Sequence, residues 1–353
     1  LLSSLAAHDF GYVTTAQLLD RTQNTITTML GLERYRGHLF NWYDTQSLLP
    51  LYPRYVSTVD SGNLAASLLT LKEGLLALYT QPILRPTLYE GLFDTISVLG
   101  LKSKESVIIQ KIKEDTFNSI NEESITITTA LLFLEKLVQA AEALREKLSP
   151  NPTLEAYWWA DALVTQSQQA RSELNNLTSW MLDINASSKY SDVIHLPESI
   201  PSVMDVANIT NGLAIKIDQW ILNENTPKEK DWLIAYQSRI ISARDTAQGM
   251  IDRIEILANQ CMELADYHYE FLYDATQHFL AIGYNVEDHR QDPGCYDLLG
   301  SEARLGLYVA IAQGKIPQES WFAMGRQLTG AGKDPVLISW SGSMFEYLMP
   351  MLI

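Results

Sequence analysis

Leucines at positions 64, 68, 71, 75 and 78 fall three or four residues apart, the spacing that lines one face of an α-helix. The helix is predicted to begin near Val59, and Ser57 with Asp60 gives the S-x-x-D spacing of a capping box at its start. The same periodicity over residues 1–31 predicts one or two amphipathic helices closing near Gly31. From about 84 to 263 the pattern is helical almost throughout, with breaks predicted at Gly100, at 149–152, over 186–201 and at 223–227. Thr226-Pro227-Lys228-Glu229 reads as a helix start, with Thr as cap, Pro at the first helical position and an acid at the third. That helix is predicted to run to about 263. No self-similarity at 33 or 40 residues suggests a solenoid, so long helical hairpins are the simpler reading.

The period changes after 266. Tyr269, Phe271 and Tyr273 alternate with His268, Glu270 and Leu272, and the polar turn 274–277 precedes a second apolar run. This predicts a β-hairpin within 267–285, expected to be the sole sheet of a mainly α chain. Residues 37–56 are aromatic, punctuated by proline and loop-like. Beyond 314 the glycines at 325, 330 and 332 predict a loop, and residues 339–343 lead into a last helix.

One position breaks the apolar pattern. Leu298, Leu305, Val309 and Ala312 share a helical face, and Glu302 falls on it. A charge inside an apolar stripe is costly unless something compensates it. Either Glu302 is a catalytic acid aimed into a cavity, or it pairs with an arginine of a neighbouring helix. Asp60 and Glu346 invite the same question, but each completes a capping-box spacing, with Ser57 and Ser343 respectively. Trp42, Tyr43, Tyr52 and Tyr55 cluster with Asp44 and Arg54. They could form a sugar platform, with rings against pyranose faces and charged groups on hydroxyls, or pack onto the core. Trp158, Trp159, Trp220 and Trp232 lie in long helical stretches, where core packing is the better reading.

Composition narrows the chemistry. The chain has 26 Lys and Arg against 42 Asp and Glu, a net charge of −16, and no basic cluster. Nucleic acid and anionic membrane surfaces are therefore poor partners, and an uncharged substrate fits better. The two cysteines, Cys261 and Cys295, make no disulfide framework and mildly favour a reducing compartment. Glu135 and Lys136 interrupt the apolar run from Ala130 to Leu144, so no membrane span is predicted. The six histidines (8, 38, 195, 268, 278 and 289) show no metal-binding spacing, and no nucleotide or cofactor motif occurs. No metal or cofactor is expected. Cys295 with His289 is too little for a thiol nucleophile. Elimination leaves carboxylate chemistry, as in glycoside cleavage or transfer. The chain begins inside an amphipathic pattern without Met, and both ends look cut, as in a fragment.

Several long strings then resemble one family. ERYRGHLFNWYDTQSLLPLYPRYVSTVDSGNLAASLL (33–69), FLYDATQHFLAIGYNV (271–286), YDLLGSEARLGLYVAIAQGKIPQESWF (296–322) and SWSGSMFEYLMP (339–350) look like motifs of the cyclic β-1,2-glucan synthases. LAAHDFGYVTTAQLL (5–19) extends the resemblance to the start, while roughly 100–263 is less distinctive. Those synthases are large multi-domain membrane enzymes, and this chain resembles the first part of their central, glucoamylase-like region. The resemblance implies an (α/α)6 toroid, incomplete here, with extra helices. The implied division is 1–83 for the N-terminal helices and first toroid motifs, 84–265 for a helical bundle, and 266–353 for the hairpin and further toroid helices.

It also implies cyclisation of linear β-1,2-glucan by anomer-retaining transglycosylation. The implied setting is the cytoplasmic side of a bacterial inner membrane, beside other domains of the same polypeptide. Alternatives are hydrolysis, as in bacterial β-1,2-glucanases of similar fold, or a non-catalytic glucan-binding or scaffold role. Glu302 matches the family's general acid/base. Trp42, Tyr43, Asp44, Asp60, Tyr284, Asn285, Trp340 and Glu346 match motifs expected to line the sugar cleft. The family's nucleophilic carboxylate is expected from a WGxSE-type motif, which residues 1–353 lack. Asp60 or Glu346 is the fallback partner.

Overall fold

The computed structural model describes residues 1–103, 106–120, 125–149, 155–182, 190, 194, 197 and 199–353. It divides into two units. The first comprises Leu1–Leu2, Gln23–Gly74 and Leu257–Ile353, and the second Ser3–Thr22 and Leu75–Ile256.

The second unit is helical. Its helices include α1 (Leu2–Asp9), the start of α2 (Thr15–Gly31), α4 (Pro86–Lys102), α5 (Ser106–Ile120), α6 (Ile127–Leu148), α7 (Glu155–Leu182), α8 (Val203–Asn223) and most of α9 (Pro227–Leu264). Leu134, Ala141 and Leu144 of α6 and Ala160, Leu163 and Val164 of α7 are buried with Leu92, Ile96 and Leu99 of α4 in one cluster. Each large side chain there contributes roughly 1.5–3 kcal/mol by leaving water. α9 starts at Pro227, where the Thr-Pro-x-Glu signal places it. Gly100 lies inside α4 and breaks nothing; the chain leaves the helix only after Lys102. The predicted break over 150–152, most of the 186–201 loop and His195 lie outside the described residues. Trp158, expected in the core, is 61% exposed, whereas Trp159 packs against the cluster. Trp220 stacks on Tyr190 and Trp232 on Tyr236.

The first unit holds the strands. β1 (Arg34–Tyr35) pairs with β2 (His38–Leu39), and β4 (Tyr273–Asp274) with β5 (Phe279–Leu280). β3 (Tyr55–Ser57), β6 (Gly283–Asn285) and β7 (Arg290–Gln291) form a three-stranded antiparallel sheet, and β8 (Leu328–Ala331) pairs with β9 (Asp334–Leu337). One hairpin was expected; β4–β5 is that hairpin, and the other sheets join segments that alternation alone does not connect. Residues 267–272 are not a strand. Their alternation reflects packing around His38, whose ring stacks on Tyr267 at 4.5 Å and meets the edges of Tyr269 and Phe271. His38 Nε2 donates to the His268 carbonyl at 2.9 Å, so Ser61 Oγ donates to Nδ1 at 2.9 Å. Burial pushes the His38 pKa down to about 4 and keeps the ring neutral at pH 7.

The first unit also contains the start of α3 (Thr58–Ala77), α10 (Ala303–Ala312), α11 (Glu319–Ala323) and α12 (Met344–Leu348). Helix dominates, as predicted, but among the described residues the helices close no barrel. No described helix is long and apolar enough to cross a membrane.

Candidate active site

Asp60 stands in the first turn of α3, where β3 turns into the helix. Ser57 Oγ accepts the Asp60 N–H at 3.3 Å, which is half of a capping box. The other half is absent, because Ser57 N–H donates to Asn41 Oδ1 at 3.1 Å. The Asp60 carboxylate is thus released from the capping role its spacing suggested, and the residue is exposed. Thr58 fixes this corner through Oγ1 to the Ala281 carbonyl at 2.6 Å and N–H to the Ile282 carbonyl at 3.1 Å.

Glu302 does not lie within a helical stripe. α10 begins at Ala303, and Glu302 is its N-terminal boundary residue, with φ −101° and ψ 20°. Leu298 precedes the helix, so the predicted face is not continuous. The side chain is buried all the same, at 8% exposure. Ser301, held in the left-handed region at φ 49°, donates its hydroxyl to Glu302 Oε2.

The helix starts carrying Asp60 and Glu302 are joined by close backbone contact. A Cβ on Gly62 would lie 2.3 Å from Gly306 Cα, so α3 and α10 approach as only two glycines permit. The phenol of Tyr296 lies in the field of Asp60, Glu302 and Asp292. Burial first, then these three charges, raises its pKa. Tyr55 donates to Asp292 Oδ2 and likewise ionises less readily, through burial and then that bond. Its ring crosses β6 at Gly283, where a Cβ would lie 2.1 Å from the Tyr55 hydroxyl oxygen. The result is a cluster of three carboxylates and two phenols. Trp42, 51% exposed, lies 6.4 Å from the Tyr55 ring, and Trp340, 53% exposed, meets Tyr296 edge-on at 5.2 Å.

Glu346 has a different place. Ser343 makes no side-chain cap, so the second capping box does not form either. Glu346 is buried and accepts N–H bonds from Ser301 at 3.1 Å and Ser341 at 3.0 Å, and the hydroxyl of Ser339. Burial opposes its ionisation, but the hydrogen bonds from Ser339, Ser341 and Ser301 prevail and lower its pKa to about 2. It ties residues 339–341 to the residue preceding Glu302.

The remaining candidates are engaged in the local scaffold. Tyr43 donates to the Glu33 carbonyl at 2.7 Å and accepts from Phe40 N–H at 2.9 Å. Asp44 closes a turn by accepting from Ser47 N–H at 2.7 Å and Gln46 N–H at 3.1 Å. Arg54 pairs with Glu287 at 2.6 Å and Glu33 at 3.0 Å. Tyr284 stacks on Tyr35 at 5.8 Å, and Asn285 accepts from Asp288 N–H at 3.0 Å. Asp292 and Tyr296 escaped the sequence reading; Asp292-Pro293-Gly294 looks like an ordinary turn, and only the Tyr55 bond gives it a place. Among the described residues no three His, Cys, Asp or Glu side chains are grouped so that they could hold a metal ion.

No family model matches the chain. It is 28% identical over 357 aligned residues to the cyclic β-(1,2)-glucan synthase NdvB of Rhizobium meliloti strain 1021. The match covers 100% of this chain and 11% of that protein, so the chain spans about a ninth of the curated relative's length. The similarity supports the synthase-fragment resemblance carried by the motifs.

Proposed function

We propose that this chain is a segment of a cyclic β-1,2-glucan synthase, and that its first unit contributes the acid/base side of a retaining transglycosylation site. The observation that carries the reading is the close approach of the helix starts bearing Asp60 and Glu302 at Gly62 and Gly306, beside two phenols that each meet an exposed indole, Tyr296 against Trp340 and Tyr55, bonded to Asp292, near Trp42. Carboxylates flanked by flat apolar rings suit a neutral sugar, and the −16 net charge disfavours an anionic one.

In this mechanism a carboxylate attacks the anomeric carbon while Glu302 gives its proton to the leaving glycosidic oxygen. The glycosidic bond breaks and a glycosyl ester forms. Glu302, now a base, takes the proton of an incoming hydroxyl. That oxygen attacks the same carbon, and the ester carboxylate leaves. When the hydroxyl is the 2-hydroxyl at the other end of the same glucan, a ring closes; when it is water, the chain is hydrolysed. Resemblance assigns the attacking carboxylate to a WGxSE-type motif, which residues 1–353 do not contain. Within them, Asp60 is the freer candidate, since Glu346 is enclosed by three serine contacts.

Incubation of the complete synthase polypeptide with linear β-1,2-glucan tests the reading. Rings lacking reducing ends are expected. Accumulating reducing sugar would replace cyclisation by hydrolysis, and unchanged glucan would leave binding alone.

A further inference from the structure

The second unit carries a groove of about 570 Å³, walled by the loop after α1, α2, α4 and the first half of α7. Trp159, Thr95 and Gln166 anchor its wall to the core, while its rim is exposed. Trp158 is 61% exposed on its rim, oriented by an edge-to-face contact with Trp159 at 4.7 Å and 90°. Tyr12, 42% exposed, donates its hydroxyl to Asp94 Oδ2 at 2.8 Å. Buried Gln166 fixes the wall, donating to the Gly11 carbonyl at 3.0 Å and accepting from Thr95 Oγ1 at 2.8 Å. An exposed indole face beside a phenol and a carboxylate is the chemistry that receives a polyhydroxylated ring, whose C–H face is apolar and whose edge is all hydroxyl. Asp94 and Asp161 outnumber Arg21 on the same walls, which disfavours phosphate or carboxylate ligands.

We propose that this groove is a second carbohydrate site, which holds a stretch of neutral β-glucan away from the reacting carboxylates. That the glucan is β-1,2-linked rests on the synthase reading above; that the ligand is a neutral sugar rests on the groove. Its role is retention, keeping a long flexible chain on the protein while one end reacts.

Calorimetric titration of the chain with linear β-1,2- and, separately, β-1,3-gluco-oligosaccharides tests this. Saturable β-1,2-glucan binding is expected, weakened at least tenfold by Trp158→Ala. Thr165→Glu, at an exposed position on the groove wall, should weaken it similarly without altering an aromatic ring. Both variants should keep the wild-type melting profile. Equal binding by wild type and Trp158→Ala, or no saturable binding by wild type, would overturn the site. Trp158-dependent binding of β-1,3- but not β-1,2-glucan would sustain a sugar groove and count against the synthase reading instead.

Discussion

Glu302 and Glu346 meet through one residue, Ser301, which gives its hydroxyl to the first and its N–H to the second. Their surroundings assign them different work. Glu346 is stabilised as a carboxylate, with its pKa lowered from 4.5 to about 2. A depressed carboxyl pKa contributes stability that is present above the unfolded value and lost as pH falls through the folded one. Wild type should therefore exceed Glu346→Gln in stability at pH 6, and the gap should shrink between about pH 4.5 and 2, as followed by denaturant unfolding across that range. A gap that stays constant would remove Glu346 from the clamp role. The cysteines give a second check. Burial pushes the Cys261 thiol up to about 11, so in a Cys295→Ser variant at pH 8 a thiol reagent should label it only after unfolding; prompt labelling of that native variant would contradict the burial of Cys261. Spacing identified Glu302 as unusual but misplaced it, because an apolar stripe that includes Leu298 cannot reveal that the helix starts only at Ala303, after a left-handed serine at 301. It also suggested two capping boxes, at Asp60 and Glu346, yet neither is complete. A serine three residues before an acid does not disclose that Asn41 or a neighbouring loop supplies the competing partner. The box that does form at Ser202 and Asp205 has the same spacing.

The decisive element contact is the crossing of α3 and α10 at Gly62 and Gly306. Gly306→Ala places a Cβ 3.0 Å from Gly62 Cα, so the two backbones must part. Overpacking of this kind costs about 1–3 kcal/mol, and denaturant titration should show a loss of that size. Turnover should fall further than stability alone explains, since Asp60 and Glu302 stand at the starts of the two helices. Unchanged stability and turnover would mean that the crossing does not position the site. Long helices were readable because their apolar periodicity repeats over many turns, and α9 was bounded almost to the residue by its Thr-Pro start. The two- to four-residue strands were not. β8–β9 hides in a glycine-rich stretch, and β3–β6 joins residues more than two hundred positions apart, which local alternation cannot encode.

At the scale of the whole molecule, each unit is assembled from distant stretches of chain, the first taking residues from both ends. The candidate site follows that pattern: Trp42, Asp60, Asp292, Glu302 and Trp340 are scattered in sequence and belong to one unit. Hydrophobic patterning could not assemble them. The family resemblance names Trp42, Asp60, Glu302 and Trp340 together but passes over Asp292, which lies between the matching strings 271–286 and 296–322. The second unit adds a helical body with its own groove, the place of the proposed second carbohydrate site. The central claim is that Glu302 moves the proton in glycosyl transfer. Its most direct test is the rate of ring formation from linear β-1,2-glucan by the complete synthase polypeptide carrying Glu302→Gln. Loss of general acid–base catalysis should lower the rate about 10²–10⁴-fold while the melting profile stays that of wild type. A variant that forms rings within tenfold of the wild-type rate would contradict the claim.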